Sequence, residues 1–368
     1  MCQLCTIMDT NVHFKPGYEP ETPPTYEYAS RLVEAEKAGM SLKDYMKGKT
    51  RWGSIHGHSE YSLLDGGAKI ESIMDKAKAM GQDFVAITDH GNLFGAVKAH
   101  KYAQQIGIKH IVGCELYLAP IGKSLYDKDF KKGEQAYTHL VTLAMNEQGY
   151  RNLSHLSSIG YLDGAYRQPR IDRETLKQYS EGLIVTTSCV GGSIPQLSLA
   201  GKLAQAEADF NWFMEVFGDR FYVEYQHHNI DVEKQGFEFP MHLAQKNNIP
   251  IIATTDSHYL DSYDVLTHDA LLCIGTGDWV DNPDRRFKFD GTGYWYMAEE
   301  EVRTLFTGFE EAIENTGKLA DRIEDQVISF GEVALPHFDI PANDGFNAYV
   351  QGNGRSALNL WPELLNSN

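Results

Sequence analysis

The amino-acid sequence predicts an α/β fold, a barrel of about seven largely parallel strands with helices packed outside it. Three observations carry that reading. From Trp52 onward, short apolar runs alternate with longer amphipathic stretches, the rhythm of a sheet whose strands are buried on both faces. About seven such runs fit between Trp52 and His258, which suits a closed barrel better than an open sheet. Residues able to bind metal recur beside the runs, as expected where the C-terminal ends of barrel strands converge.

The elements follow in order. Residues 1–50 read as an N-terminal extension, broken by Pro16, Pro20, Pro23 and Pro24, with a short amphipathic helix over Tyr28–Ala38. Ser54–His56 opens the regular pattern as a strand. Ile70–Met80 has helical spacing and closes at Gly81. Phe84–Thr88 is a buried strand and Leu93–Ile106 a helix; Ile111–Leu118 and Thr138–Ala144 are strands. Leu183–Thr187 and Phe221–Tyr225 are strands on either side of a helix over Leu203–Phe217. A helix ending at His242–Lys246 precedes the strand Ile249–Thr254. Ala298–Asp325 is helical without a strand rhythm, and Pro341–Asn368, rich in Asn and Gly, reads as a loose tail. The expected domains are therefore 1–50, a catalytic barrel over 51–290, a helical segment over 291–340 and a tail over 341–368.

The chain has 368 residues, 42% hydrophobic and 23% charged, enough for one large core with flanking pieces. No stretch approaches the roughly 20 apolar residues of a membrane span, and residues 1–21 lack the apolar centre of a secretory signal, so a cytoplasmic protein is expected. Cys2, Cys5, Cys114, Cys189 and Cys273 are odd in number and scattered, which suits a reducing compartment rather than a disulfide framework. Cys2 and Cys5 have only His13 nearby and fall short of a zinc knuckle. The net charge of −18 implies that the chain alone grips a phosphate backbone weakly. Two clusters oppose it: Lys123, Lys128, Lys131 and Lys132, and Arg285, Arg286 and Lys288. Solvated surface loops account for either cluster as well as nucleic-acid contact does.

The chemistry sits at the strand ends. His56-Gly57-His58 ends the first strand, with Asp65 seven positions on; Asp89-His90-Gly91 ends the second. Glu115 lies in the third, His139 near the start of the fourth, Cys189 after the fifth, and Asp256-Ser257-His258 after the last. Imidazoles, a thiolate and carboxylates are the ligands of zinc and its first-row neighbours. Nine candidates exceed the needs of one ion and suit two or three. Clustered divalent ions lower the pKa of a water to about 7 and neutralise phosphoryl oxygens, so phosphoester hydrolysis is the natural chemistry. Singly, each residue has a plainer reading, such as a strand-end turn at Asp89-His90 or a small core residue at Cys189. The ordered set is much harder to assign to chance.

These segments carry a family resemblance. HGHSEYSLLDG (56–66), ITDHGNLFG (87–95), YRQPRIDR (166–173), TDSHY (255–259) and LLCIGTG (271–277) resemble the PHP (polymerase and histidinol phosphatase) domain of bacterial DNA polymerase III alpha subunits, over roughly Trp52 to Phe330. The resemblance implies a distorted (β/α)7 barrel with a three-metal centre of zinc, manganese or iron. Its ligands would be His56, His58, Asp65, His90, Glu115, His139, Cys189, Asp256 and His258. Some polymerase PHP domains have lost ligands and serve as scaffolds; here every position holds a metal-capable residue. A competent hydrolase is thus implied, a 3′→5′ exonuclease that proofreads DNA 3′ ends beside a polymerase core or another replisome subunit. Alpha subunits are much longer, and the closely spaced palm aspartates of a PDxDxDF-like strand are not found in this chain. EAIENTGKLADR (311–322) resembles the first helix after the PHP domain, and Leu335–Pro341 the approach to the palm. This chain is therefore not expected to polymerise DNA.

Asp65 and Asp256, as oxygen ligands able to bridge ions, are the candidate catalytic residues, together with Arg170. An arginine near such a centre holds phosphate bidentately; a structural salt bridge is the competing role, and Arg167 is the weaker candidate. His228 is expected to line the site. His100, His110, His155, His242, His268 and His337 read as surface or core histidines, and Cys114 and Cys273 as core. Gly275-Thr276-Gly277 lacks the Lys-Ser/Thr of a phosphate loop. Two other functions compete with a nuclease: a small-molecule phosphatase of the histidinol-phosphatase type, and a non-catalytic metal-binding module of a split polymerase.

Overall fold

The computed structural model describes residues 37–39, 52–285 and 287–331. Most of the expected helix at 28–38, the Cys2–Cys5 pair with His13, Arg286, the 335–341 segment and the tail lie outside the described residues. Eight strands form one curled sheet: β1 Phe84–Ile87, β2 Lys109–Leu118, β3 Thr138–Ala144, β4 Ala165–Tyr166, β5 Gln168–Ile171, β6 Leu183–Thr186, β7 Phe221–Tyr225 and β8 Ile251–Ala253. Around the curve β1 is followed by β2, β3, β6, β7 and β8. The Ser54–His58 segment then bridges the two ends. Ala86 N–H donates to Ser54 O at 2.7 Å and Thr88 N–H to Gly57 O at 2.9 Å on one side. On the other, His58 N–H donates to Ser257 O at 2.8 Å, and Gly57 pairs with Ser257. The first expected strand is thus an irregular closing segment that completes a seven-membered distorted barrel.

The expectation of parallel strands needs one correction. β3 runs antiparallel to both neighbours, pairing Gly113 with Leu143 on β2 and Thr142 with Val185 on β6, while β1–β2, β6–β7 and β7–β8 are parallel. The reversal explains why His139, at the start of its strand, reaches the same rim as residues at the ends of the others. The β4–β5 hairpin, absent from the sequence reading, lies against the last residues of β2, with Tyr117 opposite Arg170.

Helices cover the barrel because their apolar faces have nowhere else to go. The helix Leu203–Phe217 buries Phe210, Phe213 and Phe217, and the first two rings pack on Phe221 of β7 at 5.1 and 5.4 Å. Each such burial stabilises the fold by about 1.5–3 kcal/mol. The helix Glu147–Leu162 starts where Asn146 accepts a hydrogen bond from Gly149 N–H. The helical stretch expected over 298–325 consists of two helices, Glu299–Leu305 and Glu310–Asp321. The second packs on β8, where Thr316 Oγ1 accepts from Ala253 N–H and its hydroxyl lies 3.0 Å from Ala253 O. That helix therefore anchors the strand leading into Asp256. Among the described residues, no helix is long and apolar enough to cross a membrane.

Candidate metal centre

All nine strand-end candidates converge at one end of the barrel. Ligand-capable atoms of His58, His90 and His258 lie within 4.8 Å of one another, as do those of His56, His58 and Glu115, and those of Glu115, His139 and Cys189. His58 and Glu115 each belong to two groups, so the three groups form a chain. Asp256 Oδ1 is 3.2 Å from both His56 Nε2 and His58 Nε2, and Asp65 Oδ2 is 3.3 Å from His90 Nε2. Most of the cluster is buried; His139 and His90, at 25% and 17% side-chain exposure, mark its mouth.

The local backbone serves this convergence. Gly57 separates the two histidines because a side chain there would meet Tyr296 Oη at 2.3 Å. Asp256 and Ser188, the residue before Cys189, hold left-handed backbone at φ 43° and 62°, a strained conformation for such residues. In each case a ligand candidate is turned inward at the end of a strand.

A further layer orients the imidazoles. His56 Nδ1–H donates to Glu224 at 2.5 Å, and Glu224 is itself held by Thr186, Thr254 and Gln226. His58 Nδ1 pairs with Ser62 Oγ at 3.0 Å, and Ser62 hydroxyl donates to Asp89 at 2.8 Å. His258 Nδ1–H donates to the Asp256 carbonyl at 2.7 Å. These bonds leave Nε2 of each ring facing the cluster, an arrangement that orients metal-binding histidines. Glu224 and Asp89 were not among the expected site residues. Glu224 sits inside the apolar strand FYVEY, where a carboxylate with no visible partner is itself a signal.

The donor atoms satisfy one another only in part. His56 Nε2, His58 Nε2, His90 Nδ1, Asp65 Oδ1 and Asp256 Oδ1 are buried without a well-formed hydrogen bond, although Asp256 Oδ1 is shared between two imidazoles at 3.2 Å and His90 Nδ1 lies 2.7 Å from Glu115. Buried polar atoms so poorly bonded cost up to about 1–3 kcal/mol each, so five together at one point fit a group that the protein alone does not supply. Their chemistry, imidazole nitrogen with carboxylate oxygen and one sulfur, matches divalent first-row ions.

Electrostatics agree in part. Burial alone would raise the Asp65 pKa, but His90, His258 and His58 hold it well below the usual carboxylate range. Glu115 is likewise lowered against burial by His139 and His90. Burial and His58 press the His258 pKa down to about 4, and burial and His90 lower that of His58. Against burial, Asp256, Glu115 and Asp65 instead raise the pKa values of His56 and His90, so without a metal these two rings hold protons between themselves and the carboxylates, and a bound cation would have to displace those protons. Burial, Glu115 and Asp256 raise the Cys189 thiol, so it would ionise only with a nearby cation.

Two expected residues take other roles. Arg170 is fully buried, and its guanidinium donates to the carbonyls of Gly164, Ala136, Leu125 and Asp127. Four of its five N–H groups are so engaged and the side chain is fully buried, so it is not presented to a phosphate and instead ties the 120–136 loop to the β4–β5 hairpin. This corrects its expected catalytic role, and among the described residues no carboxylate pairs with it in a salt bridge either. His228 has both ring nitrogens engaged, one by Glu233 and the other by the Thr255 carbonyl at 3.0 Å, while its ring stacks on Tyr294 at 3.9 Å. It supports the chain leading to Asp256 rather than offering a ligand.

Residues 54–228 match the PHP domain family. The chain therefore carries a PHP domain, and its likeness is to the PHP domains of DNA polymerase III alpha subunits. It is 43% identical over 296 residues to the DNA polymerase III subunit alpha of Borreliella burgdorferi, covering 80% of this chain and 26% of that protein. With the subunit of Treponema pallidum it shares 40% over 288 residues, covering 78% and 24%. For Thermus aquaticus the figures are 36% over 305 residues, 80% and 25%. The chain thus spans about a quarter of the length of these relatives. Among solved structures it is similar to a metal-dependent phosphoesterase from Bifidobacterium adolescentis, at 13% identity and a TM-score of 0.37, covering 70% of this chain and 96% of that one. A two-domain protein from Bacteroides vulgatus with a PHP-like phosphoesterase matches at 12% identity and 0.34, covering 56% and 52%.

Proposed function

We propose that this chain is a metal-dependent phosphodiesterase acting on DNA 3′ ends, a 3′→5′ exonuclease of the proofreading kind. The observation that carries the reading is the set of five buried donor atoms, drawn from His56, His58, Asp65, His90 and Asp256, that crowd together without a well-formed hydrogen bond. In this reading His56, His58, Asp65, His90, Glu115, His139, Cys189, Asp256 and His258 hold up to three zinc, manganese or iron ions. Such ions would supply Lewis acidity toward a phosphoryl oxygen and a water made acidic enough to attack phosphorus. The protein's own part is to hold the ligands in place. Glu224 fixes His56, the Ser62–Asp89 pair fixes His58, and the buried walls exclude bulk water from all but the His90–His139 mouth. Likeness to polymerase subunits supports DNA as substrate and a polymerase core or other replisome subunit as partner. The same likeness supports a cytoplasmic location, while the lack of a PDxDxDF-like aspartate motif in these 368 residues supports a chain that does not polymerise by itself. The test is incubation of the purified chain with 3′- and 5′-labelled oligonucleotides and several divalent metals. Shortening from the 3′ end supports the reading. Hydrolysis of histidinol phosphate alone makes it a small-molecule phosphatase, and metal binding without hydrolysis makes it a non-catalytic module.

A further inference from the structure

The two basic clusters, equivalent in the sequence, differ in the folded chain. Arg285 pairs with Asp269 at 2.5 Å and Lys288 with Asp290 at 3.2 Å, so the described members of the second cluster are neutralised. Lys123, Lys128, Lys131 and Lys132 are exposed and form no ion pair among the described residues, and neither does exposed Arg167. The loop also carries Asp127, Asp129 and Glu134, so with Arg167 the rim keeps a smaller net positive charge, and two of these carboxylates are turned back onto the loop's own backbone. Asp127 accepts from Ser124 N–H at 2.8 Å and Glu134 from Lys131 N–H at 2.9 Å.

This loop is built rather than merely solvated. Arg170 holds its Leu125, Asp127 and Ala136 carbonyls, and Asp172 accepts from Leu125 N–H at 3.0 Å. Phe130 stacks on Tyr166 of the hairpin at 5.6 Å; Lys123 lies over Phe130 at 5.2 Å and Arg167 over Tyr166 at 5.4 Å. The platform also adjoins the metal centre. The loop runs from β2, which carries Glu115, to β3, which begins at His139's neighbour Thr138. Its last residues include Tyr137, whose ring is parallel to that of His139 at 6.1 Å. On the hairpin side, Pro169 packs so closely on Gly91, the residue after His90, that a side chain at 91 would meet it at 2.9 Å. Arg167 itself is held at φ 62°, a strained backbone at the hairpin tip beside the mouth.

We propose that the 120–136 loop and the Arg167 hairpin tip form a binding rim for single-stranded nucleic acid, with the five free cations taking successive phosphates of a strand whose end enters the mouth at His90 and His139. Exposed Tyr126 on the same loop offers a face for base stacking. The proposal deepens the nuclease reading and rests on it for the choice of ligand. It also reconciles a −18 chain with a polyanionic substrate, because the attraction is confined to one edge of the site.

The test is fluorescence anisotropy of a labelled oligo-dT across a salt series, using the full chain with Asp256→Asn so that substrate is not consumed. Five phosphate contacts give a slope of log affinity against log salt of about −3.5 for a single strand. Lys123→Gln, Lys128→Gln, Lys131→Gln, Lys132→Gln and Arg167→Gln together should weaken binding tenfold or more at low salt and bring the slope near zero. Arg167→Gln alone, which leaves the loop untouched should the multiple variant misfold, should reduce the slope by about 0.7. Lys246→Gln with Lys318→Gln, on the helices packed against β7 and β8 rather than on the loop or hairpin, should change neither quantity. An unchanged affinity and slope in the rim variants, or no detectable binding at low salt by the chain with its rim intact, overturns the proposal. Because binding is read without turnover, a rim that fails leaves the hydrolase reading standing, and failure of hydrolysis leaves the rim measurement intact.

Discussion

Arg170 and the ligand cluster both bury charge, and they do so in opposite ways. Around Arg170 every guanidinium group meets a carbonyl oxygen, so the charge is solvated by the backbone and its work is to hold a loop. In the ligand cluster, five donor atoms are buried without a well-formed hydrogen bond, held only by close approaches between imidazoles and carboxylates. Burial and charge are common to both regions; satisfaction separates them. A satisfied buried ion is a structural rivet, and a poorly bonded set of imidazoles and carboxylates aimed at common centres suits a divalent cation.

That contrast can be broken most sharply at Asp256, whose Oδ1 lies 3.2 Å from two imidazoles. Asp256→Asn should lower hydrolysis by about 10³-fold or more, the scale of losing one member of a catalytic unit, while circular dichroism shows the fold retained. Wild-type nuclease activity in that variant, with contaminants excluded, would remove the site from the mechanism. Arg170→Met should do the reverse. It strands four carbonyls and costs about 3–5 kcal/mol of stability, read as a lowered denaturant midpoint, while metal content per folded chain is unchanged.

Smaller effects sharpen the comparison. The purified chain should retain at least one zinc, manganese or iron ion under non-chelating conditions, and elemental analysis below that level would count against the cluster as a metal site. Glu224→Gln should weaken metal affinity by about 10–100-fold, since Glu224 only orients His56; competition with a chromogenic chelator measures this. Away from the site, His110 is buried with neither ring nitrogen bonded and with His100 facing it, and burial lowers its pKa to about 3. A lowered histidine contributes stability fully above its unfolded pKa of about 6.5 and loses it as pH falls toward 3. His110→Leu should therefore flatten the stability profile in that window by up to about 1.4 kcal/mol per pH unit; an unaltered profile would mean that the ring is protonated in the folded state.

Much of this was legible in the sequence, for identifiable reasons. The nine cluster residues stand out because polar groups beside buried strands have few other uses, and the strands themselves are short, apolar and well separated. Thr138–Ala144 and Phe221–Tyr225 fall where the sequence places them. What stayed hidden depends on pairing rather than pattern. The reversed direction of β3 leaves no trace in its composition, because a strand buried on both faces reads alike either way. The two-residue strand β4 is too short to show periodicity. Arg170 looked like a phosphate ligand because its four carbonyl partners are drawn from three segments of chain. Glu224 was passed over because it sits within a run that reads as core.

The closure of the barrel by Ser54–His58 against Ser257 carries a consequence for how the chain is made. His56 and His58 leave the ribosome about 200 residues before Asp256 and His258, an interval of about 10–40 s at ordinary synthesis rates. During that interval no complete site exists, and the early histidines are open to whatever ions the nascent chain meets. Any metal that the full cluster holds would therefore be taken up late, with the arrival of the last strand.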